Sequence, residues 1–333
     1  MPVPARIKSS ALLLLFLGLA AAAALILWQG AGEVARAFAA IGWGLVGVAL
    51  FHLLVVAIDT LGFRVLIGRR HRPAYARLVW MQWVGEAVNS LLPVAQIGGE
   101  VVKSRLLYAE RVPGPRAGAY IVVNLTLGVF AQVLFTLLGV GLLVAREGST
   151  NGIAANAAIG AALFAALLGA FFLAQRLGLF LFATRLLERL VSGREWLKLV
   201  GGARRLDAAI RVLYRNRRAV ALSVLWQFLG WLVGLGEVWL ILYFMGREVS
   251  VLDALLLESL GQAVRAAGFI VPGALGVQEG GFLLLGAAVG LAPEAALALS
   301  LGKRFRELFL GVPGFLSWQY AEGRRLLGRK AAS

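Results

Sequence analysis

The chain has 333 residues, is 60% hydrophobic and carries 33 Lys and Arg against 17 Asp and Glu, a formal charge of +16; its mean hydropathy is +0.83. That hydropathy excludes an ordinary soluble domain, and the lack of cysteine excludes disulfides and thiolate chemistry. With only His52 and His71 a histidine metal cluster is not expected, and no G-x-x-x-x-G-K-[ST] loop points to nucleotide drive, so neither metal nor cofactor is assigned.

The first apolar run is 10–28. It is too long for a signal-peptide core and no clean cleavage site follows, so it reads as a retained helix. Five further spans are expected at about 41–67, 117–145, 153–174, 219–245 and 294–320, near or above the roughly 20 residues that a bilayer requires. Arg6 and Lys8, the segments 68–77, 103–116 and 176–218, and the tail after Glu322 together hold 25 of the 33 basic residues. The intervening loops hold one base and one acid each: Arg36 with Glu33, Arg146 with Glu147, Arg247 with Glu248. This alternation follows the positive-inside rule. It puts both termini in the cytoplasm of a bacterial inner-membrane protein. The positive charge therefore reports topology rather than nucleic-acid binding.

Two segments do not behave as ordinary spans. Segment 78–108 contains "GEAVNSLLPVAQIGGE" and is flanked on both sides by basic loops, so it must enter and leave from the cytoplasm. Segment 251–291 has outer loops on both sides and must enter and leave from outside. Both read as re-entrant helical hairpins, broken at Pro93, Gly98 and Gly99 in the first and at Pro272 and Gly276 in the second. A broken backbone at membrane depth is tolerated where protein or a water-filled cavity surrounds it. "GEAVN" (85–89) parallels "GQAVR" (261–265), and Pro93 to Glu100 has the same spacing as Pro272 to Glu279. Similar segments of opposite orientation are the mark of an inverted repeat. The expected fold is an all-α polytopic membrane protein with about six full transmembrane helices and two re-entrant hairpins. It forms a single integral membrane domain over 1–333, with a first half at 1–145 and a second at 153–321. Segment 176–218 reads as a basic cytoplasmic loop with amphipathic helical spacing, suited either to anionic headgroups or simply to the inner side.

Charges inside the apolar segments carry the chemistry. One charge at bilayer depth costs at least about 2.5–3.5 kcal/mol, so it pairs or lines a cavity. Arg64, Asp253 and Glu294 lie near segment ends and read as structural. Glu237 and Glu258 also lie at depth, without an assigned role. Glu86 and Asn89 share a face of the first hairpin. Glu100 follows the break, where it suits the positive end of a helix either as a cap or as the base of a polar cavity. Arg265 takes the position of Asn89 in the second hairpin, and pairing of Arg265 with Glu279 across that hairpin is the structural alternative to a ligand role. Lys303, Arg304, Arg306 and Glu307 fall roughly 14–20 Å into the last span, on an arc with Ser300, Gly311 and Gly314 that must face protein. Arginine and lysine beside a carboxylate suit a phosphate headgroup, and equally suit neutralising Glu100, Glu258 and Glu279. The site expected from the residues is thus Glu86, Asn89, Glu100, Arg265, Glu279, Lys303, Arg304, Arg306 and Glu307.

The stretches "NSLLP…GGEVVKSRL" (89–106) and "VPGALGVQEGGF" (271–282) resemble the membrane domain of lysylphosphatidylglycerol synthases, the flippase-like domain family. The second stretch, with "LSLGKRFREL" after it, looks closest to a hopanoid-biosynthesis-associated subgroup. The resemblance covers nearly the whole chain. It implies translocation of a lipid, phospholipid or hopanoid, between leaflets, and lipid-synthesis enzymes as partners at the cytoplasmic face. In those synthases a separate soluble domain transfers the amino acid. The chain ends just past the last span, so transfer chemistry is not expected of it, and a transporter is expected before an enzyme. The alternatives are a lipid-modifying transferase and a non-catalytic partner of hopanoid-synthesis enzymes.

Overall fold

The computed structural model describes residues 5–92, 97–147, 173, 177, 194–268 and 271–330. Pro93 and most of the expected span 153–174 lie outside the described residues. The described residues form eleven α-helices: α1 Ala5–Trp28, α2 Ala31–Ile41, α3 Gly44–Leu66, α4 Tyr75–Leu91, α5 Gly98–Ala109, α6 Gly114–Glu147, α7 Arg194–Arg215, α8 Arg217–Phe244, α9 Val251–Ala267, α10 Val277–Ala288 and α11 Pro293–Lys330. The protein is a polytopic α-helical membrane protein. By length and composition α3, α6 and α8 are each able to cross a bilayer. The 23 residues of α3 rise about 35 Å, enough for the roughly 30 Å hydrocarbon core.

Two sequence expectations shift at their edges. Glu33 and Arg36, read as a loop, pair on the exposed side of α2. That helix forms because Val34, Phe38 and Ile41 make one apolar stripe, with Val34 and Ile41 buried. The last helix runs on past the expected end at 320 to Lys330, giving 38 residues.

The chain clusters into two compact units. The first comprises Met1–Val56, Trp80–Val102 and Leu232–Ser333. Its core gathers Val48, Val238, Ile241, Leu242, Leu257, Phe282 and Leu299 from α3, α8, α9, α10 and α11. Within it α4 hangs on α11. Trp80 Nε1 donates to Ser317 Oγ at 3.1 Å and Trp83 Nε1 to the Leu310 carbonyl at 2.9 Å. Pro313 lacks the N–H that would bond Phe309, which loosens this turn of α11. Gly311 and Gly314 turn toward Leu91 and Ala87 and let the two helices approach closely.

The second unit comprises Ala57–Val79 and Lys103–Trp231. Here the amphipathic α7 lays Ile210 and Tyr214 into the core and packs along α6, where Gly118 meets Leu206. Gly68 N–H donates to Tyr120 Oη at 3.3 Å, Arg77 pairs with Glu110 at 2.9 Å, and Phe135 stacks on Trp231.

The described helices of the two broken segments match in length. α4 and α9 have 17 residues each, and α5 and α10 have 12 each. Gly85 and Gly261 occupy the same position in their helices, as do Glu100 and Glu279. In the first pair, Gly99 N–H donates to Asn89 Oδ1 at 2.8 Å, and a Cβ at Gly99 would lie 2.1 Å from the Gly85 carbonyl oxygen. Backbone on both sides of that contact leaves nothing able to yield. Gly99→Ala is therefore expected to cost about 1–3 kcal/mol. Gly141, whose Cβ would meet nothing within 4 Å among the described residues, provides the control. Thermal unfolding in detergent should place Gly99→Ala several degrees below wild type and Gly141→Ala at or above it.

Candidate functional site

The break between α9 and α10 organises the site. α9 ends at Gly268, and the chain then passes through a short 3-10 turn, Pro272–Ala274. Gly276 caps α10 with φ 77, a left-handed conformation that glycine takes without a Cβ penalty. Its N–H donates to Glu279 Oε2 at 2.7 Å, the carboxylate reaching back from the third helical position to the cap. Glu279 is thus partly a cap, the role the sequence offered as an alternative for Glu100. Its other oxygen faces α11, where it accepts from Ser300 Oγ at 3.1 Å and from Arg304 Nε at 3.2 Å.

Arg304 also donates through Nη1 to the Gly273 carbonyl and lies 3.5 Å from Glu307 Oε2. One guanidinium therefore fastens the broken backbone to α11, as a planar fork of donors is suited to do. Arg304 Nη2 is buried and has no hydrogen-bond partner among the described residues.

Arg265 does not pair with Glu279. It donates to Glu307 Oε1 and to Gln278 Oε1, the latter at 2.9 Å, while Gln278 Nε2 donates to Ser300 at 2.9 Å. Adjacent residues on a helix lie about 100° apart, so Gln278 faces Arg265 while Glu279 faces Arg304.

One turn earlier, Lys303 Nζ donates to Glu258 Oε2 at 2.6 Å, and Gln262 Nε2 donates to Glu258 Oε1 at 2.8 Å. Lys303 is only 1% exposed and Glu258 3%. On the next face of α11, Arg306 Nη1 lies 3.1 Å from Glu237 Oε2 and 2.6 Å from His52 Nδ1, while its Nη2 lies 3.6 Å from Glu307. His52 places Nδ1 2.6 Å from Glu237 Oε1 and Nε2 3.0 Å from Glu86 Oε2. Gln82 Nε2 donates to Glu86 Oε1 at 3.3 Å.

The result is a charge network inside an apolar unit. Its residues stand on α3, α4, α8, α9, α10 and α11, and every one of them falls in the first unit. It brings together Glu86, Arg265, Glu279, Lys303, Arg304, Arg306 and Glu307 of the residues expected from sequence. Asn89 instead clamps Gly99, and Glu100 opens α5. Gly98 starts the same helix. Sequence reasoning missed His52 as a member and left Glu237 and Glu258 unassigned. The signal for His52 was available: a titratable ring amid "VALFHLLVVAI" is rare at bilayer depth and marks a candidate for function.

Such a network carries fixed charges and directed N–H groups without exposing them to lipid. Charge-assisted donors and carboxylates placed so closely are chemically suited to a charged or polar ligand.

No solved structure matches the chain. A "UPF0104 membrane protein" of Methanothermobacter thermautotrophicus is 24% identical over 318 residues, which is 89% of this chain and 91% of that protein. The family described as lysylphosphatidylglycerol synthase TM region matches residues 15–314. The chain belongs to the lysylphosphatidylglycerol synthase transmembrane-region family.

Proposed function

We propose that the protein is a lipid translocase that moves a lipid with a polar or charged headgroup between the leaflets. The observation that carries this reading is the ion-pair network of the first unit, wrapped around the broken α9–α10 hairpin. A purely structural unit of this hydropathy gains little from so many buried charges, because replacing a buried pair by apolar residues is often neutral or stabilising. Membership of a family described by a lipid synthase's transmembrane region agrees with a lipid-related role. The headgroup path would run past Glu86, Arg265, Glu279, Arg304, Arg306 and Glu307, with Lys303 holding α9 against α11. Asn89 with Gly98 and Gly99, and Gly273 with Gly276, would set the two breaks that line it. The likeness of 271–282 to the hopanoid-associated subgroup makes hopanoid metabolism the first lipid context to examine.

The same reading places both termini in the cytoplasm and makes α4–α5 and α9–α10 re-entrant from opposite faces, as two inverted repeats. The matching helix lengths and glycine positions support that arrangement. A chain without native cysteine allows a direct test. Single cysteines at Tyr75, Gly114, Ser250 and Ala292 are labelled in intact cells with a membrane-impermeant thiol reagent. Labelling at 250 and 292, with 75 and 114 protected, is expected. If either pair splits between the two sides, that hairpin spans the bilayer and the inverted-repeat translocase reading fails.

A further inference from the structure

His52 contacts a carboxylate at each ring nitrogen and an arginine that reaches both. Nδ1 is 2.6 Å from Glu237 Oε1 and Nε2 is 3.0 Å from Glu86 Oε2. Arg306 Nη1 is 2.6 Å from Nδ1 and 3.2 Å from Nε2. It is also within 3.1 Å of Glu237 Oε2. This arrangement satisfies the ring in either charge state. With both nitrogens protonated, each donates to its own carboxylate, and Arg306 stays on Glu237. With one proton gone, the uncovered lone pair finds Arg306 Nη1 close enough to donate to it. A buried group normally loses a partner when it changes protonation, at a cost of about 1–3 kcal/mol. Here the ring keeps a partner in either state, and the carboxylate that gives up its donor, Glu86, is the more exposed of the two.

Charge counting points the same way. The network holds five carboxylates, Glu86, Glu237, Glu258, Glu279 and Glu307, and four permanent cations, Arg265, Lys303, Arg304 and Arg306. One proton on His52 makes it formally neutral. The partners also differ in access. Glu86 keeps 36% of its side chain exposed, His52 15% and Glu237 3%.

We infer that His52 is a proton-binding site, loaded through Glu86, whose occupancy is coupled to the movement of lipid through the first unit. In loading, the Glu86 carboxylic acid gives its proton to the free Nε2 lone pair. The O–H bond breaks, an N–H bond forms, and a carboxylate stays beside the imidazolium. Glu86 regains a proton from water on its exposed side. Arg306, no longer needed at the ring, rests on Glu237. Glu307 then has Arg265 and Arg304 as its remaining close partners, and these two hold Gln278, Glu279 and the Gly273 carbonyl of the hairpin break. A proton at His52 thus bears on the break through Arg306 and Glu307.

The coupling rests on the translocase reading, whereas the proton site does not. Full-length protein with 15N-labelled histidine, in bilayers of phosphatidylethanolamine and phosphatidylglycerol, contains two imidazoles, and His71→Gln identifies the signal of His52. Solid-state 15N spectra are recorded as pH is stepped. The ring of His52 is expected to pass between a singly and a doubly protonated form, and Glu86→Gln is expected to move the midpoint of that change. A ring fixed in one form throughout, or a midpoint indifferent to Glu86→Gln, overturns the site. The same vesicles then report movement of fluorescent phosphatidylglycerol by dithionite quenching, with and without an imposed pH gradient. Acceleration by several-fold under one gradient polarity, lost in His52→Gln and in Glu86→Gln, is expected. Lipid movement indifferent to the gradient overturns the coupling while leaving the translocase reading intact. A titrating ring with no lipid movement in any arm overturns the translocase reading, and the coupling with it.

Discussion

Replacing Lys303 by methionine is expected to destabilise the protein more than any other single change at the site. Lys303 and Glu258 are both almost fully buried, and Lys303 Nζ holds Glu258 Oε2 at 2.6 Å. Methionine matches the length of the lysine stem but leaves the carboxylate charged, with the hydrogen bond from Gln262 at 2.8 Å in place of the ion pair. Breaking a buried pair from one side costs about 3–5 kcal/mol. For a chain of this size that is a fall in thermal midpoint on the order of 10 °C. The double variant Lys303→Met with Glu258→Gln removes both charges and should recover most of the loss, since buried pairs exceed well-packed neutral replacements by little. Thermal unfolding of the purified variants in detergent checks both. A single variant as stable as wild type, or a double variant no better than the single, would show that the pair is not the desolvated bridge described.

Arg304→Ala is expected to abolish lipid movement. The residue is the one side chain that holds the Gly273 carbonyl, Glu279 and Glu307 together. Its Nη2 is buried with its donor capacity unused among the described residues. A charge-assisted hydrogen bond contributes about 1.5–3 kcal/mol, so loss of the guanidinium at a headgroup path predicts at least a tenfold fall in rate. Arg304→Lys keeps the charge but not the fork, and should recover only a small part. Glu100→Gln is expected to lose movement as well, by removing the carboxylate at the start of α5. Vesicles carrying fluorescent phosphatidylglycerol measure these rates, and thermal unfolding separates them from misfolding. Wild-type rates in Arg304→Ala would remove the network from the path, and wild-type rates in Glu100→Gln would deny the start of α5 a part in it.

How far the residues alone reach differs from element to element. The span expected at 41–67 appears as α3, that at 117–145 lies within α6, and that at 219–245 falls on α8, running one residue past its end, because hydropathy over 20 residues reports directly on burial in lipid. The break at Pro272 and Gly276 was equally legible, since missing N–H groups and positive φ are properties of single residues. The charged arc of α11 was legible from its period. Its partners were not. The reading offered Arg265 to Glu279, and the structure gives Arg265 to Glu307 and Gln278, with Glu279 turned to Arg304 and to its own cap.

Membrane residence, the positions of α3, α6 and α8 and the break at Pro272 and Gly276 are therefore determined by the sequence itself, through local forces that act within a turn or a span. The membership of His52 was decided by tertiary structure. Its partners Glu237 and Arg306 lie 185 and 254 residues away. Which carboxylate meets which cation depends on helix rotations of a few tens of degrees, set by contacts such as Gly314 on Ala87 and Trp83 on Leu310. Those contacts come from packing between helices distant in sequence, and no period along one chain segment encodes them.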